Sequence, residues 1–592
     1  MTPESRIQDH LTFLYGKREA ERVWTQLKDR LADFQERNPH LGERAVQPAE
    51  SLTQRDAILI TYGDQISAPG RSPLQTLADF LETHLGDAIS GVHLLPFYPY
   101  SSDDGFSVID YWQVNPDFGD WEDVTHIGRS FRLMFDAVIN HISRSSPWFQ
   151  SFLSDVEPYT DYFIVVDPNT DLSGVVRPRA LPLLTPVETP SGTQHVWTTF
   201  SDDQFDLNYA NPAVLLEIID LLLFYVERGA EIIRLDAIAY LWKEIGTSCI
   251  HLPQTHAVVK LWRAVLDAIA PGVIIITETN VPHQENISYF GDPLPAGGTD
   301  EAQLVYQFSL APLVLYAFHT GDARPLTEWA ANLELPASAT FFNFIASHDG
   351  IGIRPAEGLL SPDQMQLLVD RTLAHDGQVS YKTNPDGSKS VYELNVTLFD
   401  ALNDPNHPQL EVDVRRFLAS QAIMLSLAGV PGIYVHSLFG SRNCYPCVEE
   451  TGRARSINRE KFRRADLEAQ LADPASIQGQ VLRGYLFLLR QRAARPAFHP
   501  QAGQRVLPLH EALFALARTA PGSLTGGQEE IVLCLVNVSS SQLAIQVDLS
   551  AWDLPQASAW QDLVQGEVYF TQDGRLALTV DGYQTLWLQP TE

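Results

Sequence analysis

Eight short apolar runs, rich in β-branched and aromatic residues, recur along this chain. They read AILITY at 57–62, VHLLPF at 92–97, RLMFDAVI at 132–139, EIIRLDA at 231–237, VIIITET at 273–279, LVYQFSL at 304–310, FFNFIAS at 341–347 and GIYVHS at 432–437. Segments with helical spacing of apolar residues, such as 214–228 and 257–269, lie between them. Near-continuous apolar strands alternating with helices predict a parallel sheet covered on both faces. Eight such units are the number that closes a (β/α)8 TIM barrel.

The spacing of the runs is uneven, which predicts the rest of the architecture. About 90 residues separate the third run from the fourth. They include the Pro-rich stretch VVRPRALPLLTPVETPSG, so a small inserted domain is expected over 145–205. A second excursion, 350–410, follows the seventh run and contains the turn-rich TNPDGSKS. Both leave from C-terminal strand ends, the face on which a barrel builds its site. Residues 1–50 carry a helical extension, with Leu11, Leu14, Val23, Leu27, Leu31 and Phe34 at three- and four-residue steps. The barrel is expected over 51–500, and period-two alternation with turn signals predicts an all-β, sandwich-like domain over 501–592.

A chain of 592 residues exceeds what one core needs, consistent with this division. Its 73 acidic against 41 basic residues give a net charge of -32, which argues against nucleic acid and anionic membranes as partners but leaves room for a local basic pocket holding a small anion. The opening segment MTPESRIQDHLTFLYG has no basic region followed by a long apolar one, and a cytoplasmic protein is expected. Four cysteines fit a reducing compartment, with Cys444 and Cys447 the only close pair. A homodimer is the frequent arrangement among soluble enzymes.

Chemistry enters at IIRLDAIA, 232–239. Residues two apart in a strand share a face, so Arg234 and Asp236 point the same way. Inside a filled barrel both charges would be costly, whereas at its rim they meet a polar ligand. Glu278 closes the fifth run, Asp136, Asn140 and His141 lie around the end of the third, and His348 and Asp349 close the seventh. Zinc-ligand spacings and phosphate-binding glycine loops are missing from the sequence. Paired carboxylates on adjacent strands suit glycosyl transfer, in which one attacks the anomeric carbon and the other protonates the leaving oxygen. Asp236, beside Arg234, is the better nucleophile, and Glu278, beside a like charge, the better proton donor.

These segments resemble the α-amylase superfamily, glycoside hydrolase family 13. DAVINH at 136–141, IIRLDAIAY at 232–240, ITETN at 276–280 and FIASHD at 344–349 are similar to its four signatures, in family order. The resemblance implies Asp236 as nucleophile, Glu278 as acid/base and Asp349 as the third carboxylate, with His141, Arg234 and His348 binding the same sugar. Within the family the chain is most similar to the sucrose phosphorylase subfamily, through LITYGDQI at 59–66 and GVHLLPFYPYSSDDGFSVIDY at 91–111. That match implies Asp103 on the far hydroxyls of the glucosyl unit, Phe106 stacked on it, and Arg455 of ARSINRE closing the pocket against Asp103. Arg179 of VVRPRALP would reach phosphate, with Tyr240 as a further donor, and Phe200 and Gln204 would line the sugar-side wall.

The match departs from sucrose enzymes at SVYELN, where Ser390 and Glu393 replace an Asp and a Gln beside Tyr392, and at Asn280, which replaces a His. The N-terminal helices and YKTNPDGSKSVYELN resemble instead the glucosylglycerate phosphorylase branch. The implied activity is retaining hexosyl transfer between phosphate and D-glycerate, with Tyr392, Glu393 and Asn280 around the acceptor and Lys382 and Lys389 as candidates for the glycerate carboxylate. Sucrose or sucrose 6′-phosphate phosphorolysis, and hydrolysis or transglucosylation on the same three acids, are the alternatives. A non-catalytic superfamily member would have lost the nucleophile or the acid. No cofactor or metal is expected, although Asn140 falls where many amylases hold calcium; phosphate is a co-substrate.

Overall fold

All eight apolar runs are barrel strands in the computed structural model, which describes residues 2–42, 51–179, 181–295, 297–334, 336, 338–384 and 388–591. The strands are β1 (Ile58–Thr61), β2 (Gly91–Leu94), β3 (Arg132–Ala137), β4 (Ala230–Leu235), β5 (Ile274–Thr277), β6 (Leu304–Tyr306), β7 (Thr340–Asn343) and β8 (Val430–Tyr434). Each pairs in parallel with its neighbours in chain order, and β1 pairs with β8 to close the barrel. The strand residues are almost wholly buried, as a sheet covered on both faces requires.

Closure is fastened from below by one arginine. Arg492, in the helix Ile477–Ala493, is 1% exposed and donates to the carbonyls of Gln54 and Asp56 just before β1. It also reaches those of Leu425 and Gly429 just before β8, and of Phe498. A guanidinium carries five N–H donors in a fixed fork, which suits it to gather chain ends that would otherwise leave buried carbonyls unpaired. Arg518, at 0% exposure, ties the C-terminal sheet to the barrel in the same way, through the carbonyls of Ser426, His499, Ala502 and Gly503.

Two helices precede the barrel: α1 (Pro3–Tyr15), capped by the Thr2 hydroxyl on Ser5 N–H, and α2 (Lys17–Arg37). Gly16 separates them at φ 75°, a conformation that a side chain disfavours. Their apolar stripes, Ile7 and Leu11 then Val23, Leu27, Leu31 and Phe34, are buried. Arg6 pairs with Asp267 of the helix Pro253–Ile269, and Arg37 with Glu227 of the helix Pro212–Glu227 at 2.7 Å. The helical expectation for 1–50 extends over 43–50, which lie outside the described residues.

The excursion after β3 holds the hairpin Leu184–Thr189/Gly192–Trp197 over a small apolar cluster containing Val166, Leu172 and Trp197. The excursion after β7 holds the helix Pro362–Ala374 and the hairpin Gln378–Thr383/Lys389–Asn395, whose tip residues 385–387 lie outside the described residues. The C-terminal strands, Gly503–Val506 to Thr585–Thr591, form one continuous eight-stranded antiparallel sheet rather than two stacked ones. Strands from both halves feed one apolar cluster, including Leu533, Ile545, Trp560 and Leu578, so the sheet folds over on itself. The structure joins Cys444 and Cys447 in a disulfide across the first turn of the helix Tyr445–Thr451, where the sequence reading expects a reducing setting.

Replacing Arg492 by Met keeps the volume and removes every donor. The thermal midpoint is expected to fall by about 2 to 4 °C, because several buried carbonyls lose their partners. A scanning-calorimetry midpoint within a degree of the parent would contradict this role.

Candidate active site

Strand β4 delivers Arg234 into the barrel's upper layer, fully buried, and there it gathers the acids. It pairs with Asp136 at the end of β3, donates to Asp236 Oδ1 at 2.7 Å and lies 3.9 Å from Glu278 Oε2. Asp136 is 0% exposed and accepts also from His93 of β2, Nε2 to Oδ2 at 2.6 Å. Burial raises its pKa, but Arg234 and His93 outweigh that and leave it lowered, so it is the arginine's standing counter-ion. It lies beneath the site, whereas Asp236, Glu278 and Asp349 keep 11%, 14% and 24% of their side chains exposed and face the pocket.

The backbone turns sharply behind Asp236. Ala237 adopts a left-handed φ of 49°, unusual for a residue with a side chain, and its N–H donates to Glu278 Oε2 at 3.0 Å. Burial drives Glu278 up to about 7; Arg234 opposes this, and the charges of Asp236 and Asp349 reinforce it. Asp236 differs from the sequence reading, in which Arg234 favours its ionised form. Burial, helped by Asp136, raises its pKa in spite of Arg234. Asp349 goes the other way: burial raises it, but Arg455, His348, Arg459 and Arg234 together hold it well below the carboxylate range. One acid held down beside one held near neutrality can bind and protonate a ligand in a single pocket.

That pocket is lined by all the residues assigned above to sugar, phosphate or acceptor except Arg234, Lys382 and Lys389, and Asp136 and Asn140, around the end of β3, lie outside its lining. The Phe106 ring stacks on His348 at 4.8 Å, and burial pushes that imidazole down to about 3, so it is neutral. The Phe106 carbonyl accepts from His141 Nε2 and Gln204 Nε2, each at 2.9 Å. His141 Nδ1 lies 3.3 Å from Asn140 Nδ2, so both its ring nitrogens are engaged within the protein. Phe200 stands edge-on to Tyr240, whose hydroxyl burial pushes up to about 12. Among the described residues Asn280 Oδ1 has no hydrogen-bond partner, and it is buried at the wall, where Gly352 packs so closely that a Cβ would come within 2.5 Å of it.

The expected partner of Asp103 is corrected. Asp103, Asp104 and Gly105 all have positive φ, and Asp tolerates this better than most residues. The loop so formed turns both acids toward Arg459, at 3.7 Å from Asp103 Oδ1 and 2.5 Å from Asp104 Oδ2, and Arg453 stands 3.8 Å from Asp103. Arg455 instead meets Asp349 Oδ1 at 2.6 Å and both oxygens of Glu393. The 3-10 turn Ala454–Asn458 separates the two arginines, placing Arg455 on Asp349 and Glu393 and Arg459 on the Asp103–Asp104 loop, with Arg459 also 3.9 Å from Asp349 Oδ1. Asn458 Nδ2 and Arg459 Nε hold the Ser347–Asp349 backbone through the carbonyls of Ser347, His348 and Asp349. ARSINRE contains both arginines, and composition alone does not rank them.

Arg179 lines the pocket with its guanidinium 5.7 Å from the Tyr392 ring, and among the described residues it has no carboxylate within salt-bridge reach. Lys389 is exposed on the hairpin, away from the pocket, and Lys382 is half-buried outside the lining. Arg354, outside every motif of the sequence, pairs with Glu285 at 3.4 Å and sits two residues beyond the Gly352 contact. Its only sequence signal is a basic residue after the glycines of GIGIRP. At Asn140 a lysine supplies the local cation: Lys243 Nζ lies 2.9 Å from Asn140 Oδ1 and 2.5 Å from Asp206 Oδ2, fully buried. Among the described residues no group of three or more His, Cys, Asp or Glu is arranged to hold a metal ion.

The family described as alpha amylase, catalytic domain, matches residues 80–349. A glucosylglycerate phosphorylase of Allomeiothermus silvanus is 54% identical over 543 residues, covering 91% of this chain and 94% of that one. A glucosylglycerate phosphorylase of Spirochaeta thermophila is 48% identical over 595 residues, covering 100% of this chain and 99% of its own. Among solved structures, sucrose 6F-phosphate phosphorylase from Thermoanaerobacter thermosaccharolyticum superposes with a TM-score of 0.71 at 25% identity, covering 87% of this chain and 98% of that one.

Glu278 is expected to titrate near neutrality. Infrared difference spectra across pH should show one carboxyl with a midpoint of about 7 that is missing from Glu278→Gln. The midpoint should move down in Asp236→Asn, which removes a neighbouring negative charge. A parent midpoint in the ordinary glutamate range would overturn this account.

Proposed function

The chain belongs to the α-amylase superfamily, in the branch of the glucosylglycerate phosphorylases, and from that membership we propose that it reversibly transfers the α-glucosyl unit of 2-O-α-D-glucosylglycerate to phosphate. The products are α-D-glucose 1-phosphate and D-glycerate. Asp236 attacks the anomeric carbon, expelling the glycerate oxygen as Glu278 gives it a proton. Phosphate then attacks the glycosyl-enzyme from the face the glycerate left, opposite Asp236, whose carboxylate leaves, with Glu278 positioned to take up the phosphate's proton, so two inversions retain the α configuration. Asp349, held anionic, grips ring hydroxyls. The loop at Asp103 and Asp104, closed by Arg459, ends the pocket after one sugar.

The observation that carries phosphorolysis over hydrolysis is Arg179, a pocket-lining guanidinium with no acidic partner among the described residues in a protein of net charge -32. Its planar fork suits phosphate oxygens, and its neutralisation is left to a ligand. For the glycerate carboxylate, Arg354 supplies positive charge near Tyr240, whose pKa it draws downward against burial, and Lys382 lies near Arg354. Burial and Arg354 both lower the pKa of Lys382. Ser390 donates to Asn384 within the hairpin, which supports a reading without the fructose contact of sucrose enzymes. The reading needs no metal. No helix of the described residues is long and apolar enough to cross a membrane, and dependence on inorganic phosphate favours a cytoplasmic setting.

With glucosylglycerate in phosphate buffer, α-D-glucose 1-phosphate and D-glycerate should appear in equal amounts by NMR; accumulation of free glucose would reject phosphorolysis. With glucose 1-phosphate as donor, phosphate release should be fastest with D-glycerate among D-glycerate, fructose, fructose 6-phosphate and glycerol. Arg179→Ala should raise the KM for phosphate about tenfold or more while slow hydrolysis persists. An unchanged phosphate KM would remove Arg179 from the site.

A further inference from the structure

We propose that Glu393 is a positioning residue for the glucosyl side of the pocket, acting through Arg455 on Asp349, rather than a contact for the acceptor. The inference rests on the glucosyl-transfer reading of the three acids. It starts from how closely the chain brings three separate segments together. The segment after Asp349 runs antiparallel to the hairpin strand Lys389–Asn395, with Ile351 opposite Leu394 and Gly352 opposite Glu393. Residue 350 is glycine where the two backbones touch, since a Cβ there would lie 2.9 Å from Glu393 Cβ and 3.0 Å from Leu394 O. Arg455 arrives from the turn Ala454–Asn458 and joins both segments.

The geometry of that arginine decides what Glu393 does. Nε donates to Glu393 Oε2 at 3.0 Å and Nη2 donates to Oε1, a two-bond fork on a carboxylate that is only 1% exposed. This pairing fixes the guanidinium plane and leaves Nη1 aimed at Asp349 Oδ1, 2.6 Å away. Asp349 Oδ2, 3.5 Å from His348 Nε2, stays available to the pocket. Without the fork, Arg455 would be free to take both Asp349 oxygens, since bidentate pairing is what a guanidinium prefers with a lone carboxylate. Glu393 therefore holds the arginine on Asp349 and limits it to one oxygen. Each Glu393 oxygen already accepts from Arg455 and the residue is 1% exposed, so although it lines the pocket it presents little surface to an acceptor. Because Glu393 stands on the inserted hairpin, the grip of Asp349 on the sugar depends on that hairpin being docked.

The test uses α-D-glucosyl fluoride, whose cleavage needs the glucosyl pocket and no acceptor, so it reads this inference whichever acceptor the enzyme takes. An inactive parent would instead count against glucosyl transfer itself. Glu393→Gln is expected to lower kcat/KM for the fluoride about tenfold, and in an Arg455→Met background the same change should cost nothing further. Should Glu393→Gln not accumulate as folded protein, Arg455→Lys tests the same fork, keeping the charge but not the geometry, and the same tenfold loss is expected. Normal fluoride cleavage in either single variant overturns the inference. So do independent, multiplying effects in the double variant, or a Glu393→Gln defect confined to the KM of the acceptor.

Discussion

One buried guanidinium sets the terms for everything above the barrel. Arg234 has no route to water, so its charge is tolerable only because Asp136 is equally buried and fixed against it, with His93 behind. The rings of Tyr306 and Phe106 face it at 5.5 and 5.8 Å. Once that pair is in place, Asp236 is drawn to within 2.7 Å of the arginine and Glu278 to within 3.9 Å, and both carboxylates are crowded into a space too dry to ionise them freely. Proximity, orientation and the spread of proton affinities then follow from one arrangement. Removing any one buried charge would strand the others, which is why such clusters behave as units.

The two ends of the barrel solve opposite problems with the same side chain. Below, Arg492 and Arg518 spend their donors on main-chain carbonyls, and no acid is needed because the acceptors are neutral and many. Above, Arg234, Arg455 and Arg459 are matched to carboxylates and so create a field as well as a scaffold. Stability is concentrated where the chain closes and chemistry where the loops leave, the usual division of labour in this architecture.

Strand count, barrel closure and the two excursions were legible because apolar runs and chain length are properties of composition along one dimension. The three acids were legible because they sit at fixed offsets from strand ends. What escaped depends on neighbours far away in sequence. Arg455 and Arg459 differ by one short turn, and which of them faces Asp103 depends on partners distant in sequence, the His348 carbonyl for Arg459 and Glu393 for Arg455. The raised pKa of Asp236 is an effect of enclosure that outweighs its adjacent arginine, and enclosure has no sequence motif. Lys389 carries the right charge on the right hairpin but points into solvent, while Arg354, without a motif, stands beside the wall of the pocket.

Lys243 gives the seam between barrel and insertion a particular character. Its ammonium lies between Asn140, just past the third strand, and Asp206, at the far end of the inserted segment, with both acceptors buried. A positive charge carried on a tether arrives in one-to-one ratio with the polypeptide. It cannot be leached by a chelator, swapped for a rival ion or diluted out of its berth, so these two contacts form as soon as the segments that carry them fold together.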